Sequence, residues 1–523
     1  MPGHPVADTT SGRVKGERLD GVTRFTGIPY ARPPTAGLRF QPPAEVEPWA
    51  GEREAVGFGP VARQNLSPLE ARFGAGQAVQ SEDCLTVNVW TPGLDGAARP
   101  VMVWIHGGAF VTGSSSIPWY DGTSFAVSGD VVLVSLNYRL GAFGFLDLGE
   151  VAGEAFPGSG LAGLLDQLAA LRWVRDNVSA FGGDPSNVTV FGESAGAMSI
   201  GALLGMPGSA GLFRRAILQS GACSHTRSRE DSARLTADFL SALGLEPRSP
   251  GAMKSLLEAR PEALLGAQAK VAEAHRDGLA FLPVVDGIHL PRPPLEAVSA
   301  GRVADVDLLV GTNRDEMRLF VLGDERLAGL DEAHLVARAK RVFGPEAARR
   351  AVAGYRTGRP GARPSDIWTA MATDRVFRIP AIRLAEAQSQ VQGRGRATYC
   401  YLFTWATSVF GGTLGSCHAL EIPFVFDTLD RPGADMFTGR GPEQTEIARR
   451  MQAAWVAFAR RADPDGPGPA GDGRGWGGAA GAGREAWRPY AVPRRSTMLI
   501  GSEWAMVDDP AGDERRLWDG VEV

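Results

Sequence analysis

Ser194 stands between Gly192 and Gly196 at G-x-S-x-G spacing, within Phe191-Gly192-Glu193-Ser194-Ala195-Gly196. The apolar run Val188-Thr189-Val190 precedes it, and the helix-compatible residues Ala195, Ala197 and Met198 follow. This pattern predicts a strand that turns sharply around the serine and enters a helix. Such a turn holds the serine in a strained backbone conformation and needs glycine where a Cβ would clash. The strain lifts the hydroxyl into a cleft, where it can attack an acyl carbon. The spacing alone recurs by chance; the flanking strand and helix give it meaning.

A second segment supplies what that attack requires. Val101-Met102-Val103-Trp104-Ile105 is a continuous apolar run and predicts a buried strand. It leads into His106-Gly107-Gly108-Ala109-Phe110. Attack on an acyl carbon creates an oxyanion that needs fixed donors in a dry site, and losing one donor costs about 10²–10³ in rate. A glycine-rich turn after a strand aims N–H groups inward without side chains in the way. The segment is similar to the H-G-G-G oxyanion loop of esterases and lipases, with Ala109 in the last glycine's place. The N–H groups of Gly108, Ala109 and Ala195 are the expected donors. His106 is read as holding this backbone, not as transferring protons.

The elements that must position these groups alternate along the chain. Leu85–Trp90, Val101–Ile105, Val131–Leu136 and Arg215–Gly221 read as strands. Residues 160–179 carry apolar positions at helical spacing (Leu161, Leu164, Leu165, Leu168, Leu171, Val174, Val178). Strand–helix–strand alternation around the serine predicts an α/β protein with a mostly parallel sheet flanked by helices. Residues 1–60 read as short strands and turns. Residues 228–275 and 325–395 read as helical cap regions that wall the cleft. Residues 465–483 hold nine Gly and two Pro and read as a surface insertion.

The chain resembles the type-B carboxylesterase family, which includes the cholinesterases. The resemblance rests on Phe25-Thr26-Gly27-Ile28-Pro29-Tyr30-Ala31-Arg32-Pro33-Pro34 and Ser81-Glu82-Asp83-Cys84-Leu85-Thr86-Val87-Asn88-Val89-Trp90. Asn137-Tyr138-Arg139-Leu140-Gly141-Ala142-Phe143-Gly144-Phe145 and Phe181-Gly182-Gly183-Asp184-Pro185-Ser186-Asn187 follow in the family's order. The resemblance implies the α/β-hydrolase fold over residues 1–523 as one domain, and a Ser-Glu-His triad. The family's acid motif G-x-x-x-D-E matches Gly311 through Glu316, giving Glu316; its G-x-x-H segment matches Gly415 through His418, giving His418. His418 is then base and later acid, and Glu316 orients the imidazole. The implied reaction is hydrolysis of small-molecule carboxylic esters, of short to medium acyl chain, through an acyl-serine intermediate. Activity is expected to fall as the pH drops below about 6–7, where the histidine protonates.

Competing readings remain open at this stage. Asp315 is the rival acid, His225 a rival histidine, and Cys417 a thiol beside His418. Glu193 is expected near His418 with either a charge-tuning or a hydrogen-bonding role. The family pattern implies ion pairs Arg39–Glu82 and Arg139–Asp166, and Trp90, Trp104 and Trp173 read as core. The segment Leu69–Gln80 lacks the tryptophan with which cholinesterases stack a quaternary ammonium; Phe73 is its only aromatic. Amide or carbamate hydrolysis on the same triad is the alternative chemistry, and a non-catalytic binding module the alternative class.

The 523 residues are 44% hydrophobic, ample for a large core. The net charge of −5 and pI of about 5.9 give no reason to expect nucleic acid or an anionic membrane. The N-terminal residues show no basic start followed by an apolar run, and no apolar stretch reaches the roughly 18 residues of a membrane span. A cytoplasmic protein is expected. Four cysteines occur, none before Cys84; Ala62 stands where secreted relatives carry its partner, which fits a reducing compartment. No His, Cys, Asp or Glu cluster shows ligand spacing, so neither metal nor cofactor is expected. Lysines number only four among 54 basic residues, a usage that suggests a GC-rich, bacterial genome.

Overall fold

The computed structural model describes residues 4–19, 21–65, 78–247, 249, 251–275, 278–466 and 485–523. The insertion read at 465–483 falls almost wholly outside them, as does Phe73.

An eleven-stranded sheet forms the frame. Its strands are β1 (Glu17–Leu19), β2 (Val22–Pro29), β3 (Thr86–Thr91), β4 (Arg99–Ile105), β5 (Val132–Leu136), β6 (Gly183–Glu193), β7 (Arg215–Gln219), β8 (Asp307–Asn313), β9 (Thr398–Phe403), β10 (Ser496–Ile500) and β11 (Trp504–Asp508). Their order across the sheet is β1-β2-β3-β5-β4-β6-β7-β8-β9-β10-β11. From β5 through β10 every neighbour is parallel; β1, β2 and β3 close one edge antiparallel and β11 the other.

The central strands are apolar on both faces because helices cover both. In β4, Val101, Val103 and Ile105 enter one core and Met102 and Trp104 the other. This is the period-two alternation of a strand. Helices α1 (Ala162–Asn177) and α2 (Ala195–Gly205) pack into the first core through Leu164, Leu168, Leu171, Ile200 and Leu203. Further along the chain come α3 (Pro364–Thr373), α4 (Ile379–Val391) and α5 (Pro442–Arg461). The last packs into the second core through Ala448, Met451 and Trp455.

The expected strands and the α1 helix are present with shifted ends. Strand β6 runs longer than Val188–Val190, and β7 stops at Gln219 because Ser220 adopts a left-handed φ of 52°. The stretches 228–275 and 325–395 are helical. Not all of the second is cap, however: α4 lies on β8 and β9, burying Ala381 and Leu384. Trp90, Trp104 and Trp173 are buried, and Arg39–Glu82 and Arg139–Asp166 pair at 2.6 and 2.7 Å.

Candidate active site

The chain leaves β4 for β5 on one side and returns to β6 on the other, so the strand order reverses at β4. Crevices beyond the carboxyl ends of parallel strands at such a reversal are where α/β proteins bind ligands. His106 and Ser194 directly follow β4 and β6 there, and Asn313 ends β8.

Ser194 has φ 53° and ψ −124°, a strained conformation for a non-glycine residue, and is the N-cap of α2. Its N–H donates to Gln219 O at 2.9 Å and its carbonyl accepts from Met198 N at 2.8 Å. The glycines allow the close approach. A Cβ on Gly196 would lie 2.0 Å from Ile105 O, and one on Gly192 2.6 Å from the same oxygen. A Cβ on Gly107 would lie 3.1 Å from Ser194 Cβ. The serine turn and the loop after β4 are therefore in contact.

In that loop Gly108, Ala109 and Phe110 all have positive φ (110°, 56° and 62°), the left-handed region that bends the backbone tightly after β4. The N–H groups of Gly108, Ala109 and Ala195 donate to no other group among the described residues. His106 holds the loop: its Nδ1 lies 2.8 Å from Gly107 O, and its carbonyl accepts from the Tyr138 hydroxyl at 2.9 Å. Burial pulls the His106 pKa down to about 4, which keeps the ring neutral.

Glu316 and His418 meet. His418 Nδ1 lies 2.6 Å from Glu316 Oε2, and both side chains are buried. A carboxylate only accepts, so Nδ1 carries the hydrogen and Nε2 is the nitrogen that exchanges protons. Glu316 Oε1 accepts from Asn313 N at 2.7 Å. The neighbouring Asp315 turns away, accepting from Ser416 N at 3.0 Å and pairing with Arg314 and Arg318. His225 lies beside Ser224 Oγ at 3.2 Å, and burial pulls its pKa down to about 4. Cys417 is buried and its thiol pKa is pushed up, the reverse of what a thiolate nucleophile needs.

Glu193 is also in the site, with Oε1 3.0 Å from His418 Nε2. Burial raises its pKa to about 8. Burial alone would lower the His418 pKa, but the charges of Glu193 and Glu316 outweigh it and raise it to about 9. The imidazole thus sits between two carboxylates, Glu316 at Nδ1 and Glu193 facing Nε2.

Sequence reasoning missed the aromatic wall of the histidine. Phe320 and Phe377 lie 5.0 and 4.8 Å from the His418 ring. Phe320 is 51% exposed, whereas Phe377 is buried. Phe377 comes from a π-helical turn, Asp374–Arg378, that joins α3 to α4. Thr373, just before it, accepts from Met317 N through Oγ1 at 3.1 Å, tying α3 to the acid turn. No periodic pattern announces such a turn, though π-turns recur at functional sites.

Comparison with known proteins identifies the family. The profile of the Carboxylesterase family matches residues 3–518. The para-nitrobenzyl esterase of Bacillus subtilis (strain 168) is 38% identical over 518 residues, 98% of each chain. The phenmedipham hydrolase of Pseudarthrobacter oxydans is 36% identical over 88% of this chain and 90% of its own. A crystal structure of a carboxylesterase of Geobacillus stearothermophilus at pH 6.2 superposes with a TM-score of 0.85 at 42% identity, covering 98% of this chain and 99% of that one. The chain belongs to the carboxylesterase family, with the α/β-hydrolase fold, and is a carboxylic ester hydrolase.

Proposed function

We propose that the protein hydrolyses uncharged esters of short to medium acyl chain, with broad specificity, through an acyl-serine intermediate on Ser194. His418 takes the serine proton at Nε2 as Oγ attacks, then delivers it to the leaving alcohol. Glu316 holds the Nδ1 hydrogen and stabilises the imidazolium. The N–H groups of Gly108, Ala109 and Ala195 receive the oxyanion. Water then repeats the cycle on the acyl-serine. The observation that carries this reading is the 2.6 Å contact between Glu316 and His418, which commits Nδ1 and leaves Nε2 for proton transfer.

The phenylalanine pair beside His418 supports apolar rather than charged substrates, since a buried charge needs a partner that aromatic rings supply weakly. Four cysteines buried as free thiols support a reducing, cytoplasmic setting. Among the described residues no helix is long and apolar enough to cross a membrane. We take residues 1–523 as one catalytic domain of bacterial type, free of cofactor, metal and nucleic acid.

A panel of p-nitrophenyl acetate, butyrate and octanoate, set against the matching p-nitroanilides and a p-nitrophenyl carbamate, tests the substrate class. Faster turnover of the esters, with a maximum at one of the shorter chains, is expected. Preferential turnover of the anilides or the carbamate would replace the ester reading by the amide or carbamate one.

A further inference from the structure

We infer that Asn313 is a positioning residue that locks the acid and the histidine of the site to each other. This rests on the reading of Glu316 and His418 given under the proposed function. Asn313 is the last residue of β8 and is fully buried. Its N–H donates to Glu316 Oε1, the oxygen turned away from His418, at 2.7 Å. Its side-chain Nδ2 donates to Cys417 O at 2.7 Å and to Glu421 Oε2 at 2.6 Å. Cys417 is the residue before His418, and Glu421 follows it by one turn. One residue therefore grips the carboxylate from behind and the histidine loop on both sides.

The amide orientation follows from its neighbours. A carbonyl and a carboxylate both accept, so the NH₂ must face them. The cost is visible on the other side, where Asn313 Oδ1 is buried without a partner among the described residues. A side chain chosen for packing alone would not carry that penalty. Glu421 in turn accepts from Gln219 Nε2 at 3.0 Å, and Gln219 Oε1 accepts from Trp455 Nε1 at 3.0 Å. The carbonyl of Gln219 accepts from Ser194 N. Hydrogen bonds thus connect the nucleophile's backbone to Gln219, Gln219 to Glu421, Glu421 to Asn313, and Asn313 to Glu316 and the histidine loop, with the residues Gln219 and Asn313 themselves joining their backbone and side-chain contacts. In such a buried network each bond polarises the next, and a polarity mismatch at one member is felt by the rest.

The test is a charge-and-donor swap. Asn313→Asp keeps the size and the backbone N–H but turns two donors into acceptors that face Glu421 and Cys417 O. The histidine loop is then pushed off the acid, and kcat falls by about 10²-fold, as misplacement of a catalytic group by about 1 Å does. KM stays within about threefold, because the substrate pocket is untouched. Glu421→Gln alone sets amide against amide and also lowers kcat. Added to Asn313→Asp, it puts a donor back between the two side chains, and at least about tenfold of the lost kcat returns.

A kcat for Asn313→Asp within about threefold of wild type overturns the inference, as does a double variant whose losses simply multiply. Asn313→Ser, too short to reach either acceptor, stands in should Asn313→Asp not fold; it too must lose kcat and not KM. Glu316→Gln is measured alongside. Wild-type activity in Glu316→Gln would remove the underlying reading of the acid. Its collapse beside unaffected Asn313 variants would remove only the role of Asn313.

Discussion

His418 lies between two carboxylates, and its protonation governs the chemistry. Burial alone would lower its pKa, but the charges of Glu193 and Glu316 raise it above the ordinary value of 6.5, and a protonated ring cannot accept the serine proton. Activity should therefore be lost as the pH falls through a limb that lies above 6.5, higher than a single acid partner would place it. Glu193→Gln removes the negative charge nearest Nε2 and should move that limb of kcat/KM to lower pH. An unmoved or raised limb would show that Glu193 does not act on the base. The acid makes a second test. Glu316→Gln should lower kcat by about 10³–10⁴, the cost of losing the group that fixes the tautomer, while Asp315→Asn stays within about tenfold. The reverse order would transfer the role to Asp315. Ser194, Glu316 and His418 were legible as residues because glycine spacing and family motifs mark them. Asn313 and Glu421 were not: Asn313 fills an unspecified position of the acid motif and Glu421 lies beyond the histidine segment, and no pattern says which atoms each one faces.

At the scale of elements, what could be read was what sterics dictates locally. The turn at Ser194 needs glycine at 192 and 196 because Ile105 O lies where their Cβ atoms would be. The β4 and β6 strands were legible as apolar runs because both of their faces are covered. The π-turn holding Phe377 was not, because its position depends on the docking of α3 against the acid turn rather than on any local preference. The loop after β4 permits a direct test. Gly108 has φ 110°, and a Cβ on it would lie 2.1 Å from Thr112 O. Gly108→Ala must shift the loop and with it two of the three oxyanion donors. A fall of about 10²–10³ in kcat/KM with an unchanged circular dichroism spectrum is expected. Wild-type kcat/KM in this variant would mean that the loop does not receive the oxyanion.

Across the whole molecule, the site is assembled from segments far apart in the chain, since Glu316 and His418 alone are separated by 102 positions. The sheet order that joins them depends on long-range pairing, which composition and periodicity do not encode; the family resemblance implied the fold class, and the strand order is read from the structure. Buried ion pairs hold the loops around the frame. Arg139 and Asp166 are both buried and joined by two short hydrogen bonds, 2.8 Å at Nε and 2.7 Å at Nη2. Arg139→Met would strand the Asp166 carboxylate and should cost about 3–5 kcal/mol of stability, read as a lower urea midpoint. A midpoint equal to wild type would show that the pair is dispensable to the fold.

The most direct measurement is the fate of the acyl group. Wild type and Ser194→Ala, prepared identically, are mixed with p-nitrophenyl butyrate, quenched during the first turnover and digested for mass spectrometry, with steady-state rates taken in parallel. Nucleophilic attack by Ser194 requires a butyryl group on the Ser194 peptide of wild type and a rate loss of at least about 10³ in Ser194→Ala. A variant that still hydrolyses the ester within about tenfold of wild type, or a butyryl group found on another side chain, would contradict it.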